Sequence, residues 1–235
     1  MTDEKNAHSA FLEWLRAWEA ALSPLDLAEA VDDPNRVAIV SEDLLKGFCD
    51  VGPLSSERAA SVVPAAVRLF ERAHTLGVRH FLLVQDTHEA RAVEFSAYPP
   101  HCLEGTEESE TIDELQELAF SELFRILPKN TTSSSVGTDL GAWLSHHPDV
   151  DTFIVVGVCT DICVYQAAIH LRVRANALGQ GEARIIVPAD AVQTFDTPVE
   201  VAREIGAMPH DGDLLHRVFL YHMALNGIEV VSSVV

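Results

Sequence analysis

The chain has 235 residues, with 36 acidic against 16 basic side chains and a formal net charge of −20. Nucleic acids and anionic membrane surfaces both need a positive face to bind, so neither is expected as a partner. The composition is 48% hydrophobic and 22% charged, enough apolar chain for one ordinary core, and the excess acid by itself names no ligand.

Residues Ala7 to Leu22 place Phe11, Leu12, Leu15, Trp18 and Leu22 on one helical face ahead of Pro24, which predicts an amphipathic helix packed on the core or on a subunit neighbour. The acidic start and broken apolar run do not make a signal peptide, and no apolar stretch reaches the roughly 20 residues of a membrane span. A cytoplasmic protein is expected, with its four cysteines (49, 102, 159 and 163) reduced. From there, β-branched runs at Val37–Ser41, Val78–Gln85, Thr152–Val158, Ala183–Pro188 and Ile228–Val231 read as strands. Helical periodicity fills Ser56–Leu76, Thr138–His146, Asp161–Leu178, Pro198–Ile205 and Asp213–Leu225. Apolar strands alternating with amphipathic helices predict a three-layer α/β/α sandwich on a mainly parallel sheet, spanning residues 36–235 behind an N-terminal helical extension, 1–35. Loops at the carboxyl edge of such a sheet form the usual ligand crevice. The segment from Thr87 to about Glu114 has no sustained period, and loops of that length in compact domains are usually functional.

Three residues at the carboxyl edge carry candidate chemistry. Strand Thr152–Val158 runs into a turn, and a helix expected from Thr160 or Asp161 puts Cys163 in its first turn. Unpaired N–H groups and the helix dipole there favour a thiolate and could receive an oxyanion, although a buried inert cysteine has the same signature. Asp43, after the first strand, reads as an N-cap or as a base for the thiol. Lys129, in Ile126-Leu-Pro-Lys-Asn, ends an extended segment and reads as a solvent-facing residue or as a cation beside the thiol. Asp86 and His88 are alternate residues after a strand and point the same way in extended backbone. With His101 from the long loop they would make a two-His, one-carboxylate set for a divalent transition metal, though Asp-x-His is also common without metal. The spacing of His210, His216 and His222 keeps no helical face, and these, with His146 and His147, are given no role.

Asp43-Leu-Leu-Lys-Gly-Phe-Cys, Lys129 and Gly157-Val-Cys-Thr-Asp-Ile-Cys-Val together resemble the isochorismatase-like cysteine hydrolases, over roughly residues 36 to 195. The resemblance implies a catalytic set of Asp43, Lys129 and Cys163, a cis peptide before Cys159, and an oxyanion hole from the amides of Cys159 and Cys163. Asp86-Thr-His88 with Pro99-Pro-His-Cys102 and Gly105-Thr106 looks like the nicotinamidase branch. It implies metal ligation by Asp86, His88 and His101, with Glu94 at a fourth, more variable position, and ring contacts from Phe48 and Tyr98. The expected cofactor is one divalent metal ion, zinc with manganese or iron as alternatives. The expected substrate is a small carboxamide, nicotinamide foremost, with a place in NAD salvage and a homo-oligomeric state. Leu45, Ser135-Val136 and Cys159 depart from common family residues, and of these Leu45 and Val136 bear on the pocket wall, and so on the substrate, more than on the chemistry. Another amide or ureide hydrolase of the family, or a non-catalytic binding protein of this fold, are the alternatives.

Overall fold

The computed structural model describes the backbone from Thr2 to Val235 and the side chains from His8 onward. In chain order the elements are α1 (Thr2–Ala20), α2 (Leu27–Ala30), β1 (Val37–Glu42), α3 (Lys46–Cys49), α4 (Glu57–Ala60), α5 (Val63–Thr75), β2 (His80–Asp86) and α6 (Asp113–Gln116). They continue with β3 (Phe124–Lys129), α7 (Leu140–His146), β4 (Thr152–Val158), α8 (Cys163–Ala177), β5 (Arg184–Pro188), β6 (Val192–Gln193), α9 (Val199–Ile205), α10 (Gly212–Leu225) and β7 (Glu229–Val231). The sheet has the order β3-β2-β1-β4-β5-β7, every pairing is parallel, and β6 adds to the end of β4 beyond β5.

Parallel strands covered on both sides must be apolar throughout, and β1 and β4 are buried at every position. Alternation then divides the core in two. Ile39, Phe81, Leu83, Ile154 and Val156 pack with Leu69 and Phe70 of α5 on one face. Ala38, Val40, Leu82, Val84 and Val155 pack with Trp143 of α7, Ala167 and Leu171 of α8, and Leu220 and Met223 of α10 on the other. The architecture is therefore the expected α/β/α sandwich.

Local chemistry accounts for the departures. The segment read as one helix from Ser56 to Leu76 is two, α4 and α5, because Pro64 lacks an N–H and its ring excludes the carbonyl of Ala60. Strand β3 lies at the sheet edge, where Pro128 can sit without removing a central ladder bond. Helix α1 begins and ends earlier than its apolar stripe suggested, at Thr2–Ala20. Leu15 is fully buried, and Phe11, Trp14 and Trp18 surround Tyr221 of α10 with ring centroids 5.4–5.8 Å apart. The chain after α1 is joined to its last residues through Leu25 N to Ser233 O and Val235 N to Leu25 O, each 2.9 Å. No described helix is long and apolar enough to cross a membrane.

Candidate active site

Four parallel strands deliver the candidate groups to one edge. In the register, Glu42 of β1 is opposite Val84 and Gly157, while Asp86 of β2 is opposite Lys129 of β3. Asp43 leaves β1 with a left-handed φ of 53°, its N–H bonded to Val84 O at 2.9 Å, and its Oδ1 accepts the Asp86 N–H at 2.8 Å. Gly157 makes the close approach of β4 to β1 feasible. Its φ is 111°, and a Cβ there would lie 1.9 Å from the Glu42 carbonyl oxygen. The next peptide bond but one, Val158–Cys159, is cis.

The structure brings Asp43, Lys129 and Cys163 together. Lys129 Nζ lies 2.8 Å from Asp43 Oδ2 and 3.7 Å from Cys163 Sγ, and it also pairs with Asp86 Oδ1. All four groups are buried. Burial works against the lysine's charge, yet the carboxylates of Asp43 and Asp86 beside it push its pKa well above the usual value. Burial and then the Asp86 charge raise Asp43 to about 6, with Lys129 pulling the other way. Asp86 also loses by burial, but Lys129, His101 and His88 hold it well below the ordinary carboxylate range.

The sequence reading of Cys163 needs one correction. Helix α8 starts at Cys163 itself, preceded by Ile162, so the cysteine is in the first turn as expected. A resting thiolate is not favoured, however: burial, opposed by Lys129 but reinforced by Asp43 and Asp86, pushes the thiol pKa well above its usual value. The buried group is therefore a thiol at rest, which a base would have to deprotonate for it to act as a nucleophile. In the turn, Ile162 N and Val164 N reach the Cys159 carbonyl at 3.0 and 3.2 Å, and Thr160 N reaches Gln193 O at 3.0 Å. The Cys159 and Cys163 amides take no part in these bonds.

Asp86, His88, Glu94 and His101 also converge, their ligand atoms all within 4.8 Å of one another. His88 Nε2 is 3.5 Å from Asp86 Oδ2 and 3.9 Å from Glu94 Oε1, and His101 Nε2 is 3.4 Å from Asp86 Oδ2. The opposite nitrogens are engaged, His88 Nδ1 with Asn130 Oδ1 at 2.9 Å and His101 Nδ1 with Pro99 O at 2.8 Å. Each Nδ1–H donates to an oxygen, which leaves both Nε2 lone pairs turned inward. His88 Nε2 is buried without a hydrogen-bond partner, while the second Glu94 oxygen is held by Thr132 N at 3.0 Å. Two inward imidazole lone pairs and two carboxylates are a donor set that fits a divalent transition metal.

Phe48 and Tyr98 lie beside this cluster, with ring centroids 5.6 and 6.3 Å from His101. Phe95, not singled out from the sequence, also lies beside it, 5.2 Å from His88 and 5.7 Å from His101, because a single turn of 3-10 helix at Val93–Ser96 folds it back. Asn130 was also missed, although its place next to Lys129 was a usable signal. Glu42 was missed with less warning. It is fully buried, one oxygen accepting the Ser134 hydroxyl at 2.7 Å and the other without a partner. Burial and the neighbouring Asp43 raise its pKa well above normal, with Lys129 and the Ser134 bond opposing.

The Isochorismatase domain family matches residues 37–212. Nicotinamidase 1 of Arabidopsis thaliana is 31% identical over 215 residues, covering 84% of this chain and 86% of its own. A nicotinamidase/pyrazinamidase of Mycobacterium tuberculosis is 27% identical over 180 residues, covering 72% and 93%. Among solved structures, N-carbamoylsarcosine amidase from Thermoplasma acidophilum superposes with a TM-score of 0.60 at 26% identity, covering 83% of this chain and 95% of that one. A pyrazinamidase of Pyrococcus horikoshii in complex with zinc shares the fold, with a TM-score of 0.64 at 20% identity over 83% of this chain and 98% of that one. With the domain match over most of its length and the strands delivering an Asp, a Lys and a Cys to one edge, the chain belongs to the isochorismatase-like hydrolase family.

Proposed function

We propose that this protein is a cysteine-dependent amidohydrolase that converts nicotinamide to nicotinate and ammonia. The observation that carries the reading is the position of Lys129, which contacts Asp43 and Cys163 on one side and the metal-type cluster at Asp86 on the other. One ammonium thus ties a nucleophile with its base to a site suited to a ring nitrogen. The similarity to a plant nicotinamidase supports the same substrate.

In this mechanism Asp43, ionised near neutral pH, takes the proton of the Cys163 thiol, and the sulfur attacks the carboxamide carbon. The oxyanion is received by the Cys159 and Cys163 amides, which turn hydrogen bonds leave unoccupied. Lys129 offsets the negative charge that develops between Asp43 and Cys163. Collapse breaks the C–N bond, the leaving nitrogen takes the proton from Asp43, and ammonia departs from a thioester. Asp43 then removes a proton from water, the hydroxide adds to the thioester, and the sulfur leaves and is reprotonated from Asp43. Asp86, His88, Glu94 and His101 would hold a divalent metal, zinc foremost, which when bound supplies a Lewis-acid contact for the pyridine nitrogen. Phe48 and Tyr98 orient the ring, so the amide is presented at the sulfur. The Asn130 and Pro99 contacts keep both imidazoles in the ligating tautomer.

The similarity to an N-carbamoylsarcosine amidase supports a second reading, hydrolysis of another small amide or ureide by the same cysteine. The buried aliphatic Leu45, which departs from the common family residue, is the feature that would alter substrate choice. Ammonia release measured on nicotinamide and on a panel of linear amides and ureides separates the two. Fast release from nicotinamide supports the first, and release from linear amides alone selects the second.

A further inference from the structure

The turn that carries Cys159 and Cys163 is braced from behind by two histidines that the mechanism does not use. Thr160 is fully buried, and its Oγ1 lies 2.8 Å from His216 Nδ1 of α10. Its neighbour Asp161 places Oδ2 2.8 Å from His210 Nε2 and Oδ1 2.5 Å from the Thr194 hydroxyl. His210 is fixed in turn: Nδ1 meets Phe195 O at 2.9 Å, the ring stacks on Phe195 at 3.8 Å, and its backbone pairs with Thr197. Two consecutive residues of the nucleophile turn are therefore each held by an imidazole from the last part of the chain.

The far side of His216 leads to the N-terminal helix. His216 Nε2 is 3.9 Å from Glu19 Oε1 of α1, and the other Glu19 oxygen accepts from Arg217 Nε at 2.5 Å. Burial lowers the His216 pKa, with Glu19 opposing, and a neutral imidazole carries a single N–H. At 3.9 Å the Glu19 carboxylate makes no direct hydrogen bond to Nε2, but its negative charge favours the tautomer with the proton on that nitrogen. Nδ1 is then the acceptor for the Thr160 hydroxyl, whose direction is thereby fixed. Helix α1 sits outside the matched domain, which begins at residue 37, yet it ends within one side chain of the turn.

We propose that His216 is a positioning residue for the oxyanion turn, and that α1 acts on that turn through Glu19, His216 and Thr160. This rests on the amidohydrolase reading for its kinetic readout, so a readout independent of turnover is paired with it. The full chain is compared as wild type, His216→Leu, His216→Asn and Glu19→Gln, measuring kcat and KM for nicotinamide and the rate of Cys163 alkylation by iodoacetamide.

Misplacing reacting groups by up to about 1 Å costs about ten- to hundredfold in rate. The expected result is a kcat loss of that size in His216→Leu with KM within about twofold, since the oxyanion contact is made mainly in the transition state. Asparagine can present an acceptor where Nδ1 stands, so His216→Asn recovers most of the loss. Glu19→Gln, at a partly exposed site whose Arg217 contact can persist, lowers kcat by about threefold as the tautomer preference weakens. Alkylation rates shift in the same order. Unchanged kcat and alkylation in folded His216→Leu, or equal losses in the leucine and asparagine variants, would overturn the positioning role. If His216→Leu does not fold, His216→Asn and Glu19→Gln decide: wild-type values in both also overturn it. A wild type that does not hydrolyse nicotinamide refutes the substrate reading, while the alkylation order still decides this one.

Discussion

Replacing Lys129 with methionine keeps the length of the side chain and removes the charge that Asp43 and Asp86 share. Nζ is 2.8 Å from Asp43 Oδ2, and both partners are buried. Removing one member of a buried pair costs about 3–5 kcal/mol, because the carboxylates that remain are uncompensated. Asp86 still has His88 and His101 beside it, so Asp43 is the group that relieves the strain by taking a proton. At roughly 1.4 kcal/mol per pK unit, the penalty corresponds to a rise of about 2–4 units if protonation of Asp43 absorbs it. Asp43 starts at about 6. The base-limited rise of kcat/KM, centred near 6 in wild type, should therefore move to about 8 or higher. At pH 7 the ionised fraction of Asp43 drops from about nine-tenths to about one-tenth or less, a tenfold loss before any effect on the transition state. The stability sign is opposite: with the folded pKa raised above the unfolded one, the variant keeps its stability at low pH and loses it as pH rises through the new value. The assay is kcat/KM for ammonia release between pH 5 and 9, alongside urea denaturation at pH 5 and pH 8. An unmoved acidic limb in Lys129→Met, or equal destabilisation at both pH values, would refute the coupling of Lys129 to Asp43.

Other expected outcomes follow from packing and ligation. Gly157→Ala puts a Cβ 1.9 Å from the Glu42 carbonyl at a φ of 111°, and urea denaturation should show a loss of about 3 kcal/mol or more, or no folded protein. A loss under about 0.5 kcal/mol would mean that β1 and β4 do not approach as described. Leu15→Ala empties a fully buried position on α1 and should cost about 2–5 kcal/mol by the same measurement. His88→Ala removes one of four inward ligands, so purified protein analysed by elemental mass spectrometry should carry less than about a tenth of the wild-type metal. Chelation of wild type should abolish nicotinamide hydrolysis and zinc should restore it, whereas full activity without metal would remove the metal from the account.

Much of the fold was legible because parallel strands buried on both faces leave continuous β-branched runs, as at Val37–Ser41 and Thr152–Val158. Edge strand β3 was less so, since Arg125 and Pro128 interrupt its apolar pattern and only its end at Lys129 stood out. The break between α4 and α5 was written in Pro64 but masked by the apolar periodicity on either side. At the site, the catalytic and metal-type candidates follow strand ends or lie in the long loop, so topology could gather them, while Phe48 comes from the short helix α3. The charge state of Cys163 was not legible, because it depends on burial and on two carboxylates from other strands. Glu42, Phe95 and the Thr160–His216 contact escaped for the same reason: each acquires meaning only from a neighbour distant in sequence. The histidine spacing of six gave no helical face, and His210 indeed lies before α10 and not on it.

The central claim is that the Cys163 sulfur forms a thioester with the substrate acyl group. Metal-loaded wild type and Cys163→Ala are mixed with nicotinamide, quenched in acid during the first turnovers, digested and analysed by mass spectrometry. The account predicts a nicotinoyl group on the peptide containing Cys163 in wild type, decaying as nicotinate and ammonia appear, with neither adduct nor products from Cys163→Ala. Product formation by Cys163→Ala at the wild-type rate would contradict it.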